Sequence, residues 1–543
     1  MAAQGDDGRH RFVILIPVAD RPQQLKSCLD SLLHLCRAFG YGGLRDGRYA
    51  KVAVVIADDS SDPEHIAGNK EIARRFSELG LATTCFGADE QRAALAALGA
   101  SEQADLAGIL GSAQREDFSH KGHAVTRNIA YLKLGAAAAQ DERLLIYTVD
   151  SDQEFTVKVS TPQGDREVCA VNFLYRLDEI FAATDALVLT GKVVGDPPVS
   201  PAVMAGNFLE DVIGFLRQMA AGDPHGACRH HDATARREGE ASYHDMADLF
   251  GFEPASAAYR YRCTLAGSHS EADCFDDFSQ RLHSFFYGEH PTRISYYRHE
   301  EALRSVQAAR TVYVGNYIFR PAGLKYFIPF APLRLRMSGP VLGRLIKAEI
   351  GGRFVCANLP MLHKRTVRGT GQSEFRPGIR TATRAIELCD EFERQFHGDV
   401  MLFAIERLTA LGYPQQRLSA ATVAATLAAV QAEMLEKYNA KRRDIVAKLG
   451  RLQSLLHDPA QWWNRSAAHA AAVGNFEAFA ANIERNFGAD SPCYELINSA
   501  AHWQRWQARL IEAVDRYPQD RCVWEGALAG APAAAPRPPE RTA

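Results

Sequence analysis

The sequence predicts an α/β fold: a mostly parallel, doubly wound sheet with helices on both faces, followed by an all-α C-terminal region. Three observations predict it. Short apolar runs such as "RFVILIPV" (11–18) suit strands buried on both faces. Between such runs, apolar residues recur at helical spacing, so strands and helices alternate as in βαβ units. From about residue 378 the strand pattern gives way to long helical periodicities, as in "ATVAATLAAVQAEMLEKYNAKRRDIVAKLGRLQSLL".

Taken in order, the first strand (11–18) leads into a helix whose apolar stripe is Leu25, Cys28, Leu29, Leu32, Leu33 and Cys36. "KVAVVIADDSS" (51–61), "LATTCF" (81–86), "LLIYTV" (144–149) and "ALVLTGKVVG" (186–195) are further strands, and "HAVTRNIAYLKLGAAAA" (123–139) is a helix. "RTVYVGNYIFRP" (310–321) resumes strand character, and residues 339–365 read as helix, turn, then extended chain. Residues 1–10 are expected as a flexible N-terminus and 11–375 as the sheet domain. Within it, 87–118 reads as an Ala-rich helical insertion and 220–300 as a polar excursion or lid. Residues 376–528 form the helical region, and 529–543 a disordered Pro/Ala tail.

The totals narrow the function classes. With 543 residues and 47% apolar content, a large catalytic domain with additions is feasible. A net charge of −3 argues against bulk capture of nucleic acid. The opening "MAAQGDDGRHRF" lacks the succession of a secretory signal, and no apolar run approaches the ~20 residues that span a bilayer. The expected location is cytoplasmic, with peripheral membrane contact as an alternative. Eleven cysteines without CxxC pairs read as free thiols. "CRHHD" (228–232) hints at zinc, but a matching second pair is missing from the pattern.

The chemistry concentrates where strands end in acid. "LLIYTVDSDQEF" (144–155) closes an apolar strand with Asp150, Ser151, Asp152 and Glu154, and the strand at 51–58 closes with Asp58 and Asp59. Such clusters are either solvated turns or holders of something positive. In doubly wound sheets ligands bind beyond the carboxyl ends of strands, which favours a site. D-x-D can turn two carboxylates toward one hard cation such as Mg²⁺ or Mn²⁺.

"FVILIPVADR", "VVIADDSS", "KGHAVTRN" and "IYTVDSDQEF", in that order, resemble the motif set of GT-A glycosyltransferases, especially family 2-like enzymes. The resemblance covers residues 11–195 and extends more loosely to about 367. It implies a GT-A, Rossmann-like nucleotide-diphospho-sugar transferase fold and transfer of a sugar, a hexose by expectation, from a nucleoside-diphosphate sugar. It further implies nucleotide-sugar contacts from Pro17, Asp20, Arg21, Asp58, Asp59, Lys121, Gly122, Arg127, Asn128, Asp150, Ser151 and Arg365. Asp150 and Asp152 would hold a divalent cation, Mn²⁺ or Mg²⁺, with His363 in "PMLHKRT" as a late third ligand. Lys364 and Arg365 could meet phosphate oxygens.

The family's acid before a late helix is not matched: "RMSGPVLGRLIKAE" (336–349) has none until Glu349. Asp196, Glu210 and Asp211 are the substitute bases, and retention versus inversion stays open. The acceptor could be a small molecule, a glycan or lipid-linked, and the helical region could mediate homo-oligomers. Two other readings compete. A sugar-phosphate nucleotidyltransferase would show a Gly-rich loop where this chain has "VADRPQQL". A non-catalytic nucleotide-sugar or carbohydrate-binding scaffold would bind without turnover.

Overall fold

The computed structural model describes residues 8–530, apart from 115, 139–140, 162–163, 232–258, 314, 329, 366–377 and 383. Most of the expected tail and much of the 220–300 excursion therefore lie outside the described residues. The central sheet runs through β1 (Arg11–Val18), β2 (Val52–Asp58), β3 (Ala82–Phe86), β4 (Leu144–Val149), β5 (Gln153–Glu154), β6 (Val188–Gly195), β7 (Gln307–Ala308), β8 (Asn316–Phe319) and β9 (Phe354–His363). Its spatial order is β7-β9-β6-β8-β4-β1-β2-β3, with β5 added on β9. The pairs β1–β2, β1–β4, β2–β3 and β6–β9 are parallel. β8 is inserted antiparallel between β6 and β4. The carboxyl ends of β1, β2, β4, β6 and β9 consequently share one edge.

Alternation along each strand builds two cores. Ile14 and Ile16 of β1 join one, with Leu25, Cys28, Leu29 and Leu32 of the helix Pro22–Phe39 and Leu177 and Phe181 of the helix Phe173–Ala183. Leu15 faces the other, with Ile129 of the helix His123–Ala138 and Phe208 of the helix Pro201–Ala220. The stripe expected after β1 is thus the face that covers the sheet. Residues 87–118 supply two short helices, Ala88–Ala96 and Ala100–Leu110, on the same side as His123–Ala138.

Beyond 376 the chain is mostly helical, with one departure from the all-α expectation: a small hairpin, Arg380–Ala382 with Ala385–Glu387. The long helices are Cys389–Ala410, Ala420–Leu456, Ala470–Phe487 and Ala500–Gly530. The last runs past the expected start of the tail at 529. Leu427, Val430, Met434 and Tyr438 sit at helical spacing in the same core cluster as Phe208 and Ile129, so one apolar core is continuous across residue 376. His10, the last residue of the expected flexible N-terminus, is anchored: its backbone N–H donates to Asp178 at 2.8 Å, and its ring Nδ1 lies 2.7 Å from the same oxygen. No helix among the described residues is long and apolar enough to cross a membrane.

Candidate active site

A cavity of about 730 Å³ opens at the shared carboxyl edge of the sheet. Each strand contributes as its chain leaves the ladder: Pro17 and Val18 from β1, Asp59 after β2, Asp150, Ser151 and Asp152 after β4, and His363 and Arg365 at the end of β9. Residues 210 positions apart in sequence meet because β5 folds back on β9, pairing Gln153 with His363. The Lys364 N–H then donates to the Asp152 carbonyl at 2.9 Å.

Asp152 is buried, at 7% exposure, rather than solvent-facing. Its Oδ2 lies 3.3 Å from Arg365, 3.6 Å from His363 Nε2 and 3.7 Å from Arg21. Burial works against its charged form, but His363, Arg365 and Arg21 outweigh it and hold the carboxyl well below the usual range. The His363 Nδ1 lies 2.5 Å from the Asp196 carbonyl oxygen. A carbonyl only accepts, so Nδ1 carries a proton, and Nε2 is the nitrogen that faces Asp152. Asp150 Oδ1 is 3.0 Å from His123 Nε2, yet it is buried without a hydrogen-bond partner. Gly315, at φ +89°, lets β8 pass this carboxylate: a Cβ there would sit 2.6 Å from Asp150 Cγ.

Another part of the lining is cationic. Arg334, Arg336 and Arg394 line it with Arg127. The segment carrying the first two is bent by three non-glycine residues at positive φ, Phe330, Arg334 and Met337, a form of backbone strain that clusters at functional sites. It is clamped by the helix Cys389–Ala410. Arg394 Nε donates to the Arg334 carbonyl at 2.6 Å, and the Arg336 N–H donates to the Arg394 carbonyl at 3.2 Å. At Gly398 a Cβ would meet the Arg336 carbonyl oxygen at 2.4 Å, so only glycine lets the two backbones touch. Behind Arg336, Ser338, Gly339 and Pro340 open the helix Ser338–Ile350 onto the cavity, with its free N–H groups and positive dipole end. Arg127 is buried with its Nε unpartnered and its guanidinium 5.8 Å above the Tyr317 ring. Burial would lower its pKa, but Tyr317, Tyr131 and Asp150 raise it.

The other expected residues divide. Asp59 lines the cavity but is engaged in shaping it: one oxygen accepts from the Lys121 N–H at 3.1 Å and from its Nζ at 2.6 Å, the other from the Gly122 N–H at 3.1 Å. Gly122 lines the cavity, whereas Lys121 is buried against the Phe118 ring. Asp20, at positive φ, receives the N–H groups of Ser61 and Asp62 and lies 2.6 Å from His120. Its burial raises the pKa, but those hydrogen bonds bring it below the ordinary value.

Several residues are placed away from the cavity. Asp58 accepts from the Ser60 N–H and from Asn69, and Asn128 donates to the Ile109 carbonyl. Lys364 pairs with Glu154 and Glu167. The substitute bases are engaged elsewhere too. Asp196 accepts from the Arg365 N–H at 2.9 Å; Glu210 meets Arg451 at 3.2 Å; Asp211 holds Arg293 through both oxygens and also Thr292. Glu349 pairs with Arg521. The acids that do line the cavity from beyond residue 376 are Asp390, Glu391 and Glu393, at the start of the helix Cys389–Ala410. Neither these nor the Arg334–Arg336 pair carries a local sequence signal, because each depends on packing between distant segments.

No family model and no curated protein sequence matches this chain. Among solved structures, the mannosyltransferase PcManGT from Pyrobaculum calidifontis, in complex with GDP-Man and Mn²⁺, aligns over 94% of this chain and 88% of its own, at 11% identity and a TM-score of 0.32. S. aureus TarS aligns over 88% of this chain and 55% of its own, at 12% identity and a TM-score of 0.29. Its 1–349 fragment aligns over 92% of that fragment at a TM-score of 0.27. Likeness at this level decides nothing about activity, and the chemistry has to be read from the cavity itself.

Proposed function

We propose that this chain is a glycosyltransferase of the GT-A type that takes a nucleoside-diphosphate hexose and a divalent cation, Mn²⁺ or Mg²⁺, in the cavity at the sheet edge. One observation carries the reading: Asp152 and His363 Nε2 face each other across 3.6 Å in the cavity, the neighbouring Asp150 keeps a buried oxygen without a hydrogen bond, and arginines line the same cavity. Two carboxylates and an imidazole gathered at one cavity form a ligand set for a cation. Carboxylate oxygens plus one imidazole suit Mn²⁺ or Mg²⁺ better than a soft metal. Asp150, Asp152 and His363 would hold it, and the bound ion would neutralise charge on a departing diphosphate.

The chain's own residues would do the rest. Arg127, Arg334, Arg336 and Arg365, with the start of the helix Ser338–Ile350, would bind the diphosphate oxygens. The Asp59–Lys121–Gly122 turn would set the floor on which the nucleoside lies. Asp390 and Glu391, which pair with Arg380 at 3.2 Å and Arg336 at 3.3 Å, are carboxylates of the lining to which proton removal from an acceptor hydroxyl could fall once the donor draws Arg336 away.

Titration calorimetry with GDP- and UDP-hexoses, with and without Mn²⁺, tests this reading. Binding of one donor series that needs Mn²⁺, accompanied by slow donor hydrolysis or transfer, is the expected result. Absence of binding by every sugar nucleotide in the presence of Mn²⁺ overturns it, and binding with no turnover across an acceptor panel would favour a scaffold.

A further inference from the structure

We propose that Cys228, Cys263, His269 and Cys274 form a structural zinc site, separate from the cavity. The sequence hint in "CRHHD" has its missing half after all, 35 positions downstream and in an unfamiliar spacing. The fourth ligand type is supplied by His269 rather than by His230 or His231. The ligand atoms of the four residues all lie within 4.8 Å of one another. Cys274 Sγ is 3.3 Å from Cys228 Sγ and 3.5 Å from Cys263 Sγ, and Cys263 Sγ is 3.1 Å from His269 Nε2. Thiolates around tetrahedral zinc, at Zn–S of about 2.3 Å, stand about 3.8 Å apart, so a few tenths of an ångström of expansion would admit the ion. Three sulfurs and one nitrogen make a closed, soft ligand set that selects zinc over Mg²⁺ or Mn²⁺.

The surroundings are built for ligation. The His230 N–H points at Cys228 Sγ at 3.4 Å and the Leu265 N–H at Cys263 Sγ at 3.3 Å. Each comes from two residues further on, and each would stabilise sulfur in its thiolate form. His269 Nδ1 lies 2.9 Å from the Gly267 carbonyl oxygen, which puts the proton on Nδ1 and aims the Nε2 lone pair at the thiols. Backbone bonds lock the three contributing segments together: the Cys228 N–H to the His269 carbonyl at 3.0 Å and the Cys263 N–H to the His230 carbonyl at 2.9 Å. Cys274 sits in the helix Glu271–Arg281, capped by Ser270. Binding would break three S–H bonds, send three protons to solvent, and form three Zn–S bonds and one Zn–N bond, with no change of oxidation state.

Its place in the fold gives the site a task. Phe278 of that helix stacks on Phe215 with centroids 3.9 Å apart, and Phe275 stacks on Trp463 at 5.2 Å. The helix thereby joins Pro201–Ala220, which covers the sheet, to the C-terminal helices. Zinc would fix the helix at the point where these two halves meet. The rival use of the same sulfurs is a disulfide, which would pair two and strand the third.

Metal analysis of the full-length protein, purified without added chelator, should find about one zinc per chain that thiol-blocking reagents release. After removal of the zinc under reducing conditions, Co²⁺ should bind with the thiolate-to-metal absorption of a tetrahedral sulfur-rich site. Cys263→Ser and Cys274→Ser should each lose the zinc and melt at lower temperature, whereas Asp152→Asn should keep it. Protein without zinc whose reduced form takes up no Co²⁺ overturns the proposal. So does an intact mass two hydrogens short, with Cys228 and Cys274 joined. Because metal content is read directly, failure here is distinguishable from failure of the glycosyltransferase reading.

Discussion

Two acid pairs close the strands that flank β1 in this sheet, and they behave differently. Asp58 and Asp59 end β2 with their oxygens already taken by the N–H groups of Ser60, Lys121 and Gly122, by Asn69 and by the Lys121 ammonium. Asp150 and Asp152 follow β4 and meet cationic side chains or nothing: His123, His363, Arg365 and Arg21 surround them, and Asp150 Oδ1 lacks a hydrogen bond. The first pair is satisfied and shapes backbone. In the second, Asp152 is held charged among cationic neighbours and Asp150 keeps a buried oxygen without a hydrogen bond, the condition of a site waiting for a ligand.

Substitutions sharpen that contrast. Asp152→Asn should have the largest effect, a loss on the order of 10²–10³ in the rate constant for transfer. It should also destabilise by about 3–5 kcal/mol, because Arg365 and Arg21 would keep their charge in a buried setting without the partner that compensates it. Steady-state kinetics on protein verified as folded by circular dichroism, with a parallel denaturant melt, separates the two losses; full activity would remove Asp152 from the site. His363→Ala should raise the Mn²⁺ concentration needed for half-maximal activity by about 10–100-fold while leaving the saturated rate less affected. An unchanged metal requirement would strike it from the ligand set. Asp58→Asn should be the mildest. Asn69 has a buried, unpartnered Oδ1 that a flipped amide could offer to the new N–H₂ group, so about 1 kcal/mol and little activity should be lost. A rate collapse in a stable Asp58→Asn protein would put the first pair in the chemistry and erase the distinction.

What could be read from the sequence follows the range of each interaction. The strands, the helix stripe from Leu25 to Cys36 and the edge on which the acids fall are local patterns, and the sheet has them. The convergence of Asp152 with His363 was legible only through family likeness, since nothing near either residue foretells the β5–β9 pairing that unites them. Lys121 and Asn128 look like ligand groups in sequence because they are polar and open a helix, yet burial uses them to secure the Phe118 and Ile109 segments. Glu210 and Asp211 are similar: lysine and arginines from remote parts of the chain occupy them. Arg334, Arg336 and Arg394 went unread for the converse reason. Arg334 and Arg336 face the cavity only because positive-φ residues turn the chain there and a helix from beyond residue 376 supports it. Asp152 is also more enclosed than a strand-end acid suggests, so its amide variant should cost stability as well as activity.

The contact at Gly398 changes what the C-terminal helices are for. They are not an appendage that could be exchanged while the cavity stays intact: the segment that carries Arg334 and Arg336 rests directly on the helix that brings Asp390 and Glu391 to the same cavity. Any shift of that helix would move arginines and acids of the lining at once, so under the proposed function donor grip and acceptor choice would be mechanically geared together.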